Sequence, residues 1–291
     1  MALDQAMIDR LAAAPVAAGK LLIEGKWLDG EGETAVLSPI DGRQLTTLAA
    51  AGPEDVARAC ASARVAFEDG RWSRLAPAAR KAVLHRLADL IETHATELAV
   101  LGVRDNGTEI SMALKAEPGS AAGTFRYYAE AIDKVYGEVA PTAPNVLGLI
   151  HREPVGVVGA IVPWNFPLMI GAWKVAPALA MGNSVVLKPA ETASLSLLRL
   201  AALALEAGVP PGVFNVVTGP GRVTRGEHGR PAELWVLWVD ADYRIAAIGT
   251  PSGAFGRILS RDPAPRADLF NAAREVLDFN GYDTRRLVLA R

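Results

Sequence analysis

Three apolar segments near the middle of the chain alternate with two segments of helical composition, and this alternation restricts the fold more than any other feature. The predicted strands are residues 156–162, 184–187 and 213–217. Residues 168–181 and 193–207, between them, are rich in Ala and Leu and predict helices. Strand–helix–strand–helix–strand at this spacing predicts an α/β fold with a parallel, doubly wound sheet.

Polar and glycine residues follow each of the three predicted strands directly. The segments are Pro163-Trp164-Asn165-Phe166-Pro167, Lys188-Pro189-Ala190-Glu191 and Thr218-Gly219-Pro220-Gly221. Ligands of doubly wound sheets bind outside the carboxyl ends of the strands. We therefore expect a binding site where these three segments meet.

Composition excludes several classes of protein. The net charge of −2 and the scattered basic residues give no electrostatic basis for binding nucleic acid or an anionic membrane. A single cysteine excludes an internal disulfide framework and is typical of a reducing compartment. The first residues lack a basic segment followed by an apolar one, so we expect a cytoplasmic protein without a secretory signal.

One uncharged stretch, residues 154–173, is about long enough to span a bilayer. Pro163 and Pro167 interrupt it, however, on either side of Asn165. A buried strand, a loop and a core helix explain the stretch better than a membrane span.

The remaining segments complete the predicted organisation. Short strands and turns are expected over residues 21–48, and helices over 53–68, from Pro77 onwards and over 117–134. Residues 137–154 predict a hairpin-like excursion before the central sheet. We interpret residues 222–232 as a junction without regular structure. Beyond it we predict strands at 233–239, 243–250, 255–260 and 286–289, with a helix at 267–279.

The strand-end motifs resemble the cofactor-binding half of the NAD(P)-dependent aldehyde dehydrogenase family. Segments 163–167, 188–191 and 215–221 carry the resemblance, which extends over about residues 20–221. It implies a truncated NAD-binding domain over 1–221, with oligomerisation-type strands at 136–155. It also implies a homo-oligomer, or association with a full-length relative.

The resemblance implies roles for single residues. Asn165 matches the family's asparagine that helps to hold the oxyanion, and Lys188 and Glu191 match residues that contact the adenosine ribose. Without the resemblance, Asn165 would be interpreted as a turn residue, and Lys188 and Glu191 as a surface pair. Residues expected to line the dinucleotide site are Ile161, Pro163, Trp164, Gly219 and Gly221. Glu191 would repel a 2′-phosphate, so NAD, bound weakly, is expected rather than NADP.

The nucleophile of the family is a cysteine, because a thiolate can both attack the aldehyde and leave. Here the one cysteine is Cys60, in the helix predicted from Pro53, where we expect it to be a small core or boundary residue. The family's general-base glutamate and catalytic domain are also expected to be absent. We therefore predict no independent dehydrogenase activity.

Residues 233–291 resemble the carboxy-terminal end of a bacterial lipocalin, through Asp242-Tyr243, Ile248-Gly249-Thr250-Pro251 and Gly281-Tyr282-Asp283-Thr284. A lipocalin barrel needs about eight strands, so the few strands predicted here form only part of one.

Three functions of the chain remain open: an inactive member of the dehydrogenase family that retains some dinucleotide binding, a binding or interaction module, and an active dehydrogenase. The four histidines show no metal-ligand spacing, and no metal site is predicted.

Overall fold

A computed structural model of the chain describes residues 4–219, 222–224, 233–239, 245–249, 256–262 and 264–287. The chain divides into two compact units, Met1–Pro220 and Gly221–Arg291.

Residues 4–219 of the larger unit form seven α-helices and nine β-strands. The helices are α1 (Gln5–Ala13), α2 (Pro53–Glu68), α3 (Pro77–Thr93), α4 (Ala95–Asn106), α5 (Ile110–Ala131), α6 (Pro167–Ala180) and α7 (Leu195–Ala207). The strands are β1 (Leu21–Ile23), β2 (Lys26–Leu28), β3 (Gly32–Leu37), β4 (Gln44–Ala50), β5 (Glu138–Ala140), β6 (Gly148–Ile150), β7 (Val157–Ile161), β8 (Ser184–Lys188) and β9 (Phe214–Val216).

The central sheet has five strands in the order β2-β1-β9-β8-β7. Strands β7, β8 and β9 are parallel, and β1 pairs antiparallel with β9. The three parallel strands are those predicted from the sequence, and α6 and α7 are the two predicted crossover helices. The predicted α/β class with a parallel sheet is therefore confirmed.

Helices cover both faces of this sheet, as a doubly wound fold requires. Val185 and Leu187 of β8 pack in one hydrophobic cluster with residues of α6 and α7. Val186, which points to the opposite face because side chains alternate along a strand, packs in a second cluster with Ala59 and Ala63 of α2. Burial on both faces explains why β8 is an uninterrupted apolar run rather than an alternating one.

Helix α5 begins earlier than the sequence predicts. We expected a helix over 117–134, where the sequence looks helical. Instead, α5 begins at Ile110 and contains Pro118 in its interior, followed by a 3-10 turn at Ile132–Lys134. Residues 137–154 form the predicted excursion, in which β5 and β6 pair antiparallel as a separate two-stranded sheet.

The described part of the smaller unit forms a four-stranded antiparallel sheet with one helix. Its strands are β10 (Arg222–Thr224), β11 (Glu233–Val239), β12 (Ile245–Gly249) and β13 (Gly256–Ser260), and its helix is α8 (Ala267–Phe279). The strands pair in sequence order. A small core of Ile245, Ala247, Ala273, Leu277 and Tyr282 joins α8 to the sheet. The predicted β-rich tail with one helix is thus confirmed.

Two predictions for this unit are wrong in part. Arg222–Thr224 lies in the stretch interpreted as a junction, but its backbone pairs with β11. Three residues are too few to show a periodicity, so the sequence pattern gave no sign of this strand. Arg286 was predicted to open a final strand but ends a 3-10 turn, Thr284–Arg286. Residues 225–232, 288 and 289 lie outside the described residues.

Among the residues that the structure describes, no helix is long and apolar enough to cross a membrane. The uncharged stretch 154–173 forms β7, the loop after it and the first half of α6.

The fully buried Trp72 joins the loop after α2 to the end of α6. Its Nε1–H donates to the Leu179 carbonyl oxygen over 2.8 Å. We predict that Trp72→Phe lowers the free energy of unfolding by about 2–3 kcal/mol, because it removes this bond and leaves unfilled volume. Urea denaturation measures the change. Trp164→Phe is the control, since Trp164 is 60% exposed, and an equal loss in both variants would contradict the prediction.

Candidate functional site

The register of the parallel strands brings the three predicted segments to one edge of the sheet. Ile161 at the end of β7 is paired with Lys188 at the end of β8, and Leu187 is paired with Val216 of β9. The pairing continues beyond the strands, since the Val162 amide donates to the Lys188 carbonyl over 3.1 Å. Segments 162–167, 188–191 and 217–219 therefore leave the sheet side by side.

Lys188 and Glu191 form an ion pair at this edge, with 3.2 Å between Nζ and Oε2. The Lys188 side chain is 19% exposed and that of Glu191 is 46% exposed. An ammonium donor and a carboxylate acceptor, both reachable from solvent, can hydrogen-bond neighbouring hydroxyl groups of one ligand.

Asn165, Pro163 and Trp164 are exposed in the loop between β7 and α6. The carbonyl of Trp164 accepts a hydrogen bond of 3.4 Å from Nδ2 of Asn106, at the end of α4. Ile161 is 47% exposed and Trp164 is 60% exposed. The edge thus presents large apolar side chains next to the charged pair, a combination that suits a ligand with both ring and hydroxyl groups.

Gly219 lies where the backbone after β9 passes β4 closely. Its φ is +120°, and a Cβ there would lie 2.9 Å from the Ala51 nitrogen. The Ala51 amide donates to the Thr218 carbonyl over 2.8 Å, and Thr218 Oγ1 donates to the Ala49 carbonyl. Only glycine combines this φ with this approach. Gly221, the other predicted glycine, lies outside the described residues.

Cys60 is exposed on α2, so the expectation of a core or boundary cysteine is wrong. The buried residues of that helix include Ala59, Ala63 and Ala66, which recur at helical spacing and leave Cys60 on the solvent side. Among the described residues, no cluster of three or more potential ligands could hold a metal ion.

Two buried carboxylates behind the edge were not among the predicted site residues. Glu117 of α5 is 2% exposed and accepts hydrogen bonds from the Leu168 and Met169 amides, over 2.8 and 3.4 Å. Asp105 of α4 is 3% exposed, and its Oδ2 accepts from the Leu195 amide over 2.8 Å. The donors belong to the first turns of α6 and α7, which follow the two loops of the site.

The sequence does contain a signal for Glu117. It stands between Ala113 and Ala121 on the buried face of α5, at intervals of four residues. A carboxylate on an apolar helical face must be paired or neutral, and it therefore indicates a specific partner. Asp105 takes the corresponding place on α4, after the buried Leu98 and Gly102.

Burial raises the pKa of both carboxyl groups. For Asp105 the pKa rises from 3.8 to about 8: desolvation is the main cause, the nearby charge of Glu117 adds to it, and the Leu195 amide opposes it. Burial likewise raises the pKa of Glu117, although the hydrogen bonds from the Leu168 and Met169 amides act in the opposite direction and lower it.

Between pH 4 and pH 8 the folded chain thus holds a proton on Asp105 that the unfolded chain releases. The contribution of this group to the free energy of unfolding therefore falls as pH rises through that window. We predict that Asp105→Asn removes this dependence. The free energy of unfolding of the wild type, minus that of the variant, should fall by up to about 1.4 kcal/mol for each unit by which the pH rises.

Urea denaturation at pH 5.5, 6.5 and 7.5 measures this difference. Glu206→Gln, at an exposed position of α7, should leave the pH dependence of wild type unchanged. A difference between wild type and Asp105→Asn that stays constant over the three pH values would contradict the prediction.

Comparison with known proteins agrees with this geometry. The sequence model of the aldehyde dehydrogenase family matches residues 27–227, and that of the lipocalin-like domain matches residues 221–291. The chain is 53% identical over 204 residues to the NADP/NAD-dependent aldehyde dehydrogenase PuuC of Escherichia coli. It is 48% identical over 217 residues to an aminoacetaldehyde dehydrogenase of Pseudomonas aeruginosa.

These alignments cover 69% and 74% of this chain but only 41% and 44% of the two relatives. The chain thus spans less than half the length of these relatives.

Solved structures show the same partial coverage. The aldehyde dehydrogenase KauB from Pseudomonas aeruginosa superposes with a TM-score of 0.73 at 48% identity, over 75% of this chain and 44% of its own. An indole-3-acetaldehyde dehydrogenase in complex with NAD+ gives the same values. A parallel sheet with exposed polar groups at its carboxyl edge, together with these matches, shows that the chain belongs to the aldehyde dehydrogenase family over residues 27–227.

Proposed function

We propose that the Met1–Pro220 unit binds NAD at the carboxyl edge of β7, β8 and β9. The observation that carries the proposal is the register that puts Ile161 beside Lys188, with Glu191 paired to that lysine. Members of the family use NAD(P), and one of the similar structures holds NAD+. The family relationship therefore supports the choice of ligand, and the strand ends support its proposed position.

In this proposal, Lys188 and Glu191 bind the hydroxyl groups of the adenosine ribose. The Lys188 ammonium donates to one hydroxyl oxygen and the Glu191 carboxylate accepts from another. Ile161, Pro163 and Trp164 contact the apolar faces of the dinucleotide, and Gly219 keeps the backbone close to it. Gly221 is proposed to leave room for the adenine.

NAD is proposed as the preferred form of the cofactor. The Glu191 carboxylate is 46% exposed at the edge and would face the ribose. The 2′-phosphate of NADP would place a negative charge next to the Glu191 carboxylate, and two neighbouring negative charges repel each other. NADP should therefore bind more weakly than NAD.

We further propose that these 291 residues by themselves do not oxidise aldehydes. Bound NAD would supply the hydride acceptor, and the exposed Asn165 amide could donate to an oxyanion. The chemistry also needs a thiolate that attacks the carbonyl and a base that activates water. The one thiol of the chain is Cys60, which lies on α2, whereas the proposed site follows β7, β8 and β9.

Equilibrium unfolding with and without NAD tests the binding proposal. At NAD concentrations a hundredfold above the dissociation constant, the free energy of unfolding should rise by about 2.7 kcal/mol. Lys188→Ala should abolish most of this rise, whereas Lys115→Ala, on α5, should keep it. A free energy of unfolding of the wild-type chain that is the same with and without NAD would contradict the proposal.

The second candidate function is that of an interaction module. The hairpin of β5 and β6 exposes large apolar side chains: Val139 is 69%, Leu147 72% and Leu149 70% exposed. Exposed apolar patches of this kind mark association surfaces, and members of the family are commonly oligomers. We propose that this hairpin mediates association with another copy of the chain or with a full-length relative.

Sedimentation velocity of the purified chain tests the interaction proposal. Val139→Lys and Leu149→Lys together should shift an oligomer towards monomer, because each buries a charge if the contact forms. Ile40→Lys is the matched control, since Ile40 is 74% exposed on the turn between β3 and β4. The same oligomer distribution in the double variant and in wild type would contradict the proposal.

For the Gly221–Arg291 unit we propose no barrel that encloses a ligand. Its four described strands form an open sheet in sequence order, and a lipocalin-type barrel closes with about eight.

A further inference from the structure

We infer that Asp105 and Glu117 are positioning residues for the dinucleotide site, because each fixes the start of one crossover helix and thereby the loop before it. Glu117 holds α6, which follows the loop of Trp164 and Asn165. Asp105 holds α7, which follows the loop of Glu191. The inference rests on the proposed NAD site.

Neither crossover helix satisfies its own first turn. The N-cap of α6 is Phe166, which has no polar side-chain atom, and Pro167 follows it without an N–H. Leu168 and Met169 therefore carry the first free amides, and Glu117 Oε2 accepts from both. Since buried amides need partners, the carboxylate of a different helix takes the place of an ordinary cap.

The start of α7 shows the same arrangement for a different local reason. Its N-cap is Ser194, a residue that normally caps with its hydroxyl, but no such bond forms. The Ser194 hydroxyl instead donates to the Ala190 carbonyl over 2.8 Å, inside the loop that follows Lys188. An N-cap hydroxyl serves the second or third amide of a helix, so the first amide, that of Leu195, needs another acceptor, and Asp105 Oδ2 supplies it over 2.8 Å.

The end of α4 is connected to both loops of the site. Asp105 binds α7, and the next residue, Asn106, donates to the Trp164 carbonyl over 3.4 Å. Helix α4 ends there, with Gly107 in the left-handed conformation at φ +78°. Two consecutive side chains of one helix end therefore link the Trp164 loop and the Glu191 loop.

The carboxyl groups of Asp105 and Glu117 also interact with each other. Helices α4 and α5 pack together, and a Cβ at Gly102 of α4 would lie 3.6 Å from Glu117 Oε1. The charge of Glu117 acts on the buried Asp105, whose Oδ1 has no hydrogen-bond partner among the described residues. The two carboxyl groups therefore interact electrostatically, while each makes its hydrogen bonds to a different crossover helix.

Paired variants distinguish positioning from general stabilisation. Glu117→Gln keeps a side-chain oxygen that can accept from Leu168, whereas Glu117→Met does not, and the two side chains are similar in size. Asp105→Asn and Asp105→Leu make the same comparison for α7. Glu130→Met, at a surface ion pair on α5, is the matched control.

Amide hydrogen exchange of the full chain is the first measurement, because it requires no ligand. In Glu117→Met, exchange should accelerate about tenfold in peptides covering 162–169, the equivalent of 1.4 kcal/mol, while peptides of α3 keep their rates. Glu117→Gln should restore protection. Acceleration spread over the whole unit, or equal effects of Gln and Met, would overturn the inference.

Calorimetric titration with NAD is the second measurement. The affinity should fall about tenfold in Glu117→Met and in Asp105→Leu, and it should stay near the wild-type value in Glu117→Gln, Asp105→Asn and Glu130→Met. If the wild-type chain does not bind NAD, the proposed function is wrong. The hydrogen-exchange measurement then tests by itself whether Glu117 positions the loop before α6. Unchanged affinity in both apolar variants would overturn the inference.

If the apolar variants do not fold, Glu117→Asp replaces them. It keeps the carboxylate but withdraws it by one methylene from the Leu168 amide. Faster exchange confined to 162–169 would support the inference, and wild-type exchange there would overturn it.

Discussion

Parallel backbone pairing among β7, β8 and β9 determines the arrangement of the rest of the larger unit. Parallel strands cannot be joined by a tight turn, so each must be followed by a crossover segment, and here these are α6 and α7. The same pairing places the carboxyl ends of all three strands at one edge. Because the strands are buried on both faces, helices must also cover the side that the crossovers leave open, and α2 does so.

The sequence predicted the parts of this arrangement that depend on long local patterns. The apolar runs of β7, β8 and β9 and the Ala- and Leu-rich crossovers were sufficient to predict the sheet. The order of strands and helices also predicted that the segments after the three strands lie at one edge. Strand β10 was missed because three residues carry no readable period and its stability depends on a partner further along the chain. The early start of α5 was missed because proline is common in the first turn of a helix and unusual in its interior, where Pro118 lies.

The buried carboxylates show another limit of sequence reasoning. Asp105 was not among the predicted site residues, and Glu117 was only the first residue of the predicted helix 117–134. Their partners, the Leu195 and Leu168 amides, are 90 and 51 residues away, and such a pairing exists only once α4 and α5 have packed against the crossover helices. The exposure of Cys60, by contrast, follows from the spacing of Ala59, Ala63 and Ala66 and could have been predicted.

The capped helix starts also restrict how an anionic ligand can lie at this edge. Helix N-termini are common phosphate sites because their free amides and positive dipole end attract negative charge. In this protein the Leu168, Met169 and Leu195 amides already face protein carboxyl groups. These three amides are therefore not free to bind a phosphate group, and a dinucleotide at the proposed site would take its hydrogen bonds from other donors.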